Sequence, residues 1–91
     1  MRRLTEDKDL RVLLKAFSRS VRELREKRGI SQEELADRSG LHRTYISNLE
    51  RAEVNVSLKN IKKLARGLGI SMTALVEHVE RKSERKATKR I

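Results

Sequence analysis

The sequence lacks the residues and segments that several classes of protein require. It has no cysteine, which excludes disulfide bonds and thiolate metal sites. No apolar run approaches the roughly 18 residues of a membrane span, and no apolar signal segment follows Arg2 and Arg3. The only histidines, His42 and His78, lie far apart, and no phosphate loop, H-E-x-x-H or G-x-S-x-G motif occurs. We therefore expect a soluble cytoplasmic protein that is not an enzyme and has no cofactor, metal site or small-molecule ligand.

Acidic residues are few relative to basic ones. The 91 residues include 23 lysines and arginines against 13 aspartates and glutamates, a net charge of +10. This charge fits a polyanionic partner, nucleic acid first and an anionic membrane surface second. The basic tail, residues 80–91, has no helical face of large apolar residues, which disfavours the membrane. Residues 10–79 carry +6 of the charge, so the globular part is basic in its own right.

Proline is absent, and three of the four glycines fall where a helical pattern stops. The spacing of apolar residues predicts an all-α domain of five helices. Helix 1 is expected from about Glu6 to Arg28, helix 2 from Gln32 to Ser39, and helix 3 from Arg43 to Arg51, followed by a loop. Ser57 and Ser71 are the expected N-caps of helices 4 and 5.

The chain divides by these patterns into three parts. Residues 1–16 are expected to extend helix 1 at its N-terminal end, residues 17–79 to form the compact domain, and residues 80–91 to form either a helical extension or a mobile arm. In helix 4 an apolar stripe is expected to face inward; its members are Leu58, Ile61, Leu64, Ala65 and Leu68.

The segment that indicates function is QEELADRSGLHRTYISNLER, residues 32–51. Ala36 is a small residue on the first of two short helices, where the backbones approach. Gly40 tolerates the positive φ of a tight turn, and Ile46 is a branched apolar anchor under the second helix. This spacing predicts a helix-turn-helix, and Ser31 with Glu34 forms a capping-box pattern in front of it.

On these residues the chain resembles the lambda-repressor/Cro-like (Xre-type) regulators over about residues 17–76. Within that family, LHRTYISNLER is most similar to the controller proteins of restriction–modification systems. The resemblance implies a compact five-helix domain that binds double-stranded DNA and regulates transcription.

Such proteins insert the N-terminal part of the second motif helix into the major groove. Arg43 and Thr44 lie in that first turn, with Ser47 and Asn48 one turn further on the same face. We expect these four residues to read bases: Arg43 at guanine O6 and N7, Asn48 at adenine N6 and N7, and Thr44 at a thymine methyl. A phosphate contact for Arg43 and a solvated side chain for Asn48 remain alternatives.

Phosphate contacts are expected from helix N-termini and from polar groups around the groove. The resemblance gives Gln32 a phosphate contact and a role in bracing helix 3. Tyr45 either reaches a phosphate or packs half-buried with a wet hydroxyl. We call the set of phosphate-contacting residues around the groove the phosphate clamp. Its remaining candidates are Arg51, Asn55, Ser57 and Lys59.

Arg25 and Glu50 match family positions that form a salt bridge between helices 1 and 3. The resemblance implies that this bridge orients the recognition helix. A solvated charge at each position is the alternative.

Self-association is expected because one motif helix reads few base pairs, so two copies would bind a palindromic operator. The predicted homodimer interface is apolar surface beyond the core on helices 1 and 5, namely Leu10, Leu13, Leu14, Val76 and Val79. The same surface suits an antitoxin that binds both DNA and a protein toxin, and this alternative stays open on sequence alone.

Overall fold

The computed structural model describes the backbone of residues 8–88 and the side chains of residues 8–84. Five helices occur in this part of the chain: α1 (Lys8–Lys27), α2 (Gln32–Ser39), α3 (Arg43–Glu50), α4 (Leu58–Leu68) and α5 (Met72–Thr88). The predicted all-α, five-helix fold is confirmed, and no strand occurs within residues 8–88. The predicted start of helix 1 near Glu6 and the last three residues of the basic tail lie outside the described residues.

Serine side chains begin three of the helices. Ser31 Oγ accepts a hydrogen bond from the Glu34 N–H at 3.0 Å, Ser57 Oγ from the Asn60 N–H at 3.1 Å, and Ser71 Oγ from the Ala74 N–H at 3.0 Å. Each bond satisfies an amide that the helix itself leaves unpaired. The start of α2, α4 and α5 is therefore set by local chemistry, which explains why the sequence pattern located these ends.

The core is built from all five helices around fully buried leucines and isoleucine. α1 packs on α5, while α2 packs on both α3 and α4. The largest side chains with essentially no exposed surface are Leu35, Ile46, Leu49, Leu64, Leu68 and Leu75. Their burial supplies the main stabilisation, at about 25 cal/mol per Å² of apolar surface removed from water.

Two predictions about apolar residues are wrong. Leu58 was expected to face inward, but it is 72% exposed because the first turn of α4 begins beyond the edge of the core. Val79 was expected to continue past the core into an exposed patch, but it is 4% exposed and belongs to the core cluster. Val79 is therefore already covered within one chain and adds little surface to an interface.

α2 and α4 approach closely where Gly67 meets Ser39. A Cβ atom built on Gly67 would collide with Ser39 Oγ and would lie 3.0 Å from Leu35 Cδ1. Ser39 Oγ is itself buried and has no hydrogen-bond partner among the described residues. A side chain at position 67 would therefore require the Ser39 and Leu35 side chains to move, in an interior with little spare volume.

Polar contacts join α1 to α5 on one side of the core. His78 Nδ1 lies 3.0 Å from the fully buried Ser20 Oγ, and Lys82 Nζ lies 2.8 Å from Glu23 Oε1. The hydrogen bond from Lys82 lowers the pKa of Glu23. Residues 80–88 continue α5, so this part of the basic tail is a helical extension.

Burial between α1 and α5 lowers the pKa of His78 below its ordinary value of 6.5. Lys82, Arg81 and Lys27 lower this pKa further, and Glu23 opposes them. Protonation of His78 is thus less favourable in the folded chain than in the unfolded one. The neutral imidazole therefore contributes stability above pH 6.5, and this contribution is lost as the pH falls below 6.5.

We expect the free energy of unfolding to decrease between pH 7.5 and pH 5, and His78→Gln to reduce that slope. Urea unfolding at each pH measures it. His42→Gln is the control, because His42 is exposed and precedes α3. Equal slopes for wild type and His78→Gln would show that other groups cause the pH dependence.

Candidate nucleic-acid interface

α2 and α3 form the helix-turn-helix that the spacing predicted. The connecting turn is residues 40–42, with Gly40 in the left-handed region at φ 70°. The Leu41 N–H donates to the Ala36 carbonyl at 3.0 Å, which fixes the turn on the end of α2. Ala36 and Ile46 are both buried, as a small contact residue and an apolar anchor must be.

The outer face of α3 carries the four predicted base readers. Arg43 and Thr44 are exposed, whereas Ser47 and Asn48 are half-buried. His42 occupies the N-cap position, but its side chain makes no capping hydrogen bond. The first turn of α3 therefore presents its amide hydrogens without a side-chain cap, beside the exposed Arg43.

A buried ion pair holds α3 against α1. Arg25 Nε donates to Glu50 Oε2 at 2.7 Å and Arg25 Nη2 donates to Glu50 Oε1 at 3.1 Å. The two side chains are 12% and 4% exposed. A third bond from Arg25 Nη1 to the Ile30 carbonyl, 2.8 Å, ties in the chain before α2. The hydrogen bond to Glu50 raises the pKa of Arg25, so the guanidinium stays charged.

Gln32 adds α2 to this contact. Its Nε2 donates to Glu50 Oε1 at 3.0 Å, so the first residue of α2 is joined to the last residue of α3. The bracing role that the resemblance implied for Gln32 is thereby supplied through Glu50. The Gln32 Oε1 atom takes no part in that bond.

Arg51, which follows α3 directly, has its guanidinium occupied by neighbours in the same chain. It donates to Ser47 Oγ at 2.7 Å, to Asn48 Oδ1, and through Nε to Glu53 Oε2 at 3.3 Å. The sequence interpretation placed Arg51 only in the phosphate clamp and did not include Glu53. Spacing was an available signal for Ser47 and Asn48, which precede Arg51 by four and three residues, since side chains at these spacings on a helix are neighbours. Glu53 follows Arg51 by two residues, outside the helix, and that rule does not reach it.

Tyr45 packs against the core from the first turn of α3. Its hydroxyl is buried and has no hydrogen-bond partner within the part of the chain that the structure describes. In this conformation the hydroxyl is enclosed by the protein. The alternative in which Tyr45 packs half-buried against the core agrees with this placement. That alternative also gave Tyr45 a solvent-exposed hydroxyl, which the structure does not show.

The other clamp candidates lie along the 52–57 loop and the start of α4. Asn55 and Lys59 are exposed, while Ser57 Oγ is used as the N-cap of α4. Ala52, at the beginning of this loop, has a φ of 61°, a conformation that residues with a Cβ rarely adopt. Sequence reasoning gave no sign of it.

Basic residues of α1 also border the end of α3, and sequence analysis did not select them. Lys15, Arg19 and Arg22 line a groove of about 270 Å³ together with Glu50 and Arg51. Their spacing of four and three residues on one helix face was the available signal.

Four of the five residues predicted for the dimer interface line two separate grooves, while the fifth, Val79, lies in the core. Leu10, Leu13 and Leu14 line one of about 380 Å³ with residues 52–55. Val76 lines another, of about 550 Å³, with residues of α5 alone, and the two grooves share no residue. The α1 leucines and Val76 therefore line different grooves of one chain.

Comparison with known proteins agrees with this geometry. A helix-turn-helix family model matches residues 21–75. The chain belongs to this helix-turn-helix family. Its members are transcription regulators, not enzymes, so the prediction of a non-enzyme is confirmed.

Relatives of this helix-turn-helix chain include controller proteins of restriction–modification systems. Control protein C.BamHI of Bacillus amyloliquefaciens is 47% identical over 62 residues, which cover 67% of this chain and 76% of that protein. Control protein C.SmaI of Serratia marcescens is 43% identical, covering 75% and 81%.

Solved controller proteins have the same fold. C.AhdI from Aeromonas hydrophila superposes with a TM-score of 0.66 at 50% identity, covering 68% of this chain and 94% of that one. The C.Esp1396I tetramer, solved with its natural 35 base-pair operator, gives 0.74 at 34% identity, covering 78% and 93%. The predicted resemblance to this group is confirmed.

The ion pair between α1 and α3 generates a stability prediction. Arg25→Met leaves the Glu50 carboxylate buried without its partner, so we expect the free energy of unfolding to fall by about 3–5 kcal/mol. Urea denaturation measures the change. In the double variant Arg25→Met/Glu50→Met no charge is left buried, and most of the loss should be recovered. A double variant as unstable as the sum of the single variants would contradict this account.

Proposed function

We propose that this regulator binds a palindromic operator in double-stranded DNA as a homodimer and acts as the controller protein of a restriction–modification system in the cytoplasm. The observation that carries the proposal is the outer face of α3, whose polar residues are held in place by the buried Arg25–Glu50 pair. Support also comes from C.Esp1396I, a structural relative solved on its operator. Among the described helices, none is long and apolar enough to cross a membrane.

The roles on α3 follow from exposure and donor chemistry. Arg43 is exposed in the first turn and can donate two bonds to guanine O6 and N7, the commonest specific contact in the major groove. Thr44 beside it can offer a methyl group to thymine. Ser47 and Asn48 lie one turn further along and read the next base pairs.

The phosphate clamp surrounds this face. We assign to it Gln32 at the N-terminus of α2, together with Asn55, Ser57 and Lys59 at the N-terminus of α4, because helix N-termini favour anions. Arg51 and Tyr45 can contact phosphates only if their side chains first break the contacts described above. The α1 groove lined by Lys15, Arg19 and Arg22 can add further phosphate contacts.

The division of the chain follows these roles. We assign DNA binding to residues 17–79. Residues 8–16 are the first turns of α1 and residues 80–88 continue α5, while the rest of the two terminal parts lies outside the described residues. The antitoxin alternative is not favoured, since the similar proteins named above are controller proteins.

Selection of bound fragments from a random DNA pool tests the proposal. We expect wild type to select a palindrome. The logarithm of its binding constant should fall linearly with the logarithm of the salt concentration, with a slope of roughly −0.9 per phosphate contact. Arg43→Ala should cost about 1–3 kcal/mol on the best site and relax one base position in each half-site. Lys59→Ala, as the matched control, should weaken all sequences equally. A wild-type protein without sequence preference would refute the proposed function.

The dimer is assigned to the exposed face of α5. Val76 is 44% exposed and lines an open groove with Met72, Thr73, Glu77 and Glu80. A small, partly exposed apolar patch suits a two-fold contact, because the same patch must meet itself.

Val76→Arg should therefore yield a folded monomer, since a charge placed at the centre of an apolar interface loses its hydration. Sedimentation equilibrium at tens of micromolar measures the mass. Leu58→Arg is the matched control, because Leu58 is the more exposed residue and lies on α4. Val79 is left unchanged, since a charge there would disrupt the core. A Val76→Arg variant that remains dimeric would remove α5 as the interface.

A further inference from the structure

Arg51 contacts both of the base-reading candidates in the second turn of α3. Its Nη1 donates to Ser47 Oγ at 2.7 Å, and its Nη2 donates to Asn48 Oδ1. A second edge of the guanidinium is held by Glu53, with Nε donating to Oε2 at 3.3 Å and Nη2 to Oε1 at 3.4 Å. The planar group is therefore fixed from two sides.

These contacts decide which hydrogen-bonding atoms of α3 remain available. A guanidinium has only donors, so the atoms that face it must be acceptors. Ser47 thus accepts with its oxygen and keeps its hydroxyl hydrogen to donate. Asn48 directs its amide oxygen toward Arg51 and keeps both hydrogens of Nδ2 to donate. The amide orientation follows from the partner, since a rotated amide would place N–H groups against N–H groups.

The base edges in the major groove differ in what they can receive. Guanine presents two acceptors, N7 and O6, whereas adenine presents the acceptor N7 beside the donor N6. An asparagine that recognises adenine with two bonds needs its amide oxygen to accept from N6. Arg51 takes one of the two lone pairs of that oxygen and holds the oxygen on its own side of the amide, so that the Nδ2 hydrogens are the groups left to face a base. Against adenine these hydrogens would face the donor N6, and an unpaired buried donor is costly.

We propose, on the basis of the proposed function, that Arg51 is a positioning residue that makes Ser47 and Asn48 donors and thereby selects guanine at the base that Asn48 reads. This replaces the adenine contact expected for Asn48 from sequence. Arg51 contributes little to stability through Glu53, because both side chains of that ion pair are 55% exposed. Its effect is on the direction of the neighbouring amide and hydroxyl.

Random-pool DNA selection with three variants tests this role. Asn48→Ala first identifies the base position that Asn48 reads, as the position whose preference disappears. We expect guanine there for wild type. Arg51→Met releases the Asn48 oxygen, so preference at this position should shift toward adenine, with the guanine-to-adenine ratio falling about tenfold or more. Arg51→Lys keeps the charge but not the planar fork, so it should relax the same position while binding non-specific DNA as wild type does.

Arg38→Met is the matched control. Arg38 also forms an exposed ion pair, with Glu34 at 2.9 Å, but the bonds found for it do not involve a base-reading candidate. It should leave the selected base unchanged, and thermal unfolding should show that every variant folds.

Two results would overturn the inference while leaving the proposed function intact. One is adenine at the Asn48 position for wild type. The other is an unchanged motif for both Arg51 variants, with Arg51→Met weakening all sequences equally, which is the behaviour of a phosphate contact. A wild-type protein that selects no motif would overturn the proposed function and this inference together.

Discussion

Glu50 is an acidic residue at the end of α3, the helix that we propose contacts DNA, and its carboxylate lies 2.7 Å from Arg25 in a contact with little exposure to solvent. α3 has only eight residues, too few to be stable or oriented by itself. The ion pair joins it to α1, and the bonds from Gln32 and to the Ile30 carbonyl add α2 and the preceding turn. The direction in which the outer face of α3 points therefore depends on this contact.

The electrostatic character of the outer face of α3 depends on which charged side chains near it are paired. Glu50 is the only acidic residue of α3, and Arg25 neutralises it on the inner side. Glu53 stands just beyond the helix and is paired with Arg51. Both carboxylates that would repel a phosphate backbone are thereby compensated, while Arg43 stays exposed. The positive end of the α3 dipole lies at the same end as Arg43, so charge and dipole favour an anion together.

Helix ends and the motif could be predicted from sequence because their causes are local. Ser31, Ser57 and Ser71 cap the helices that follow them, and the Ala36–Gly40–Ile46 spacing fixes the turn. The degree of burial could not be predicted for Leu58 and Val79. Periodicity shows which face of a helix is apolar, but not how far along that face the neighbouring helices cover it. The bonds of Arg51 and the burial of the Tyr45 hydroxyl depend on side-chain rotamers, which the order of residues does not specify.

The packing of α1 against α5 has a consequence for synthesis. Leu75 and Val79 fill the core from the helix that follows the other four in the chain. Until α5 has emerged from the ribosome, the apolar residues of α1 that it covers remain open to water, and Ser20 lacks His78. The core is therefore closed only once α5 has docked on α1.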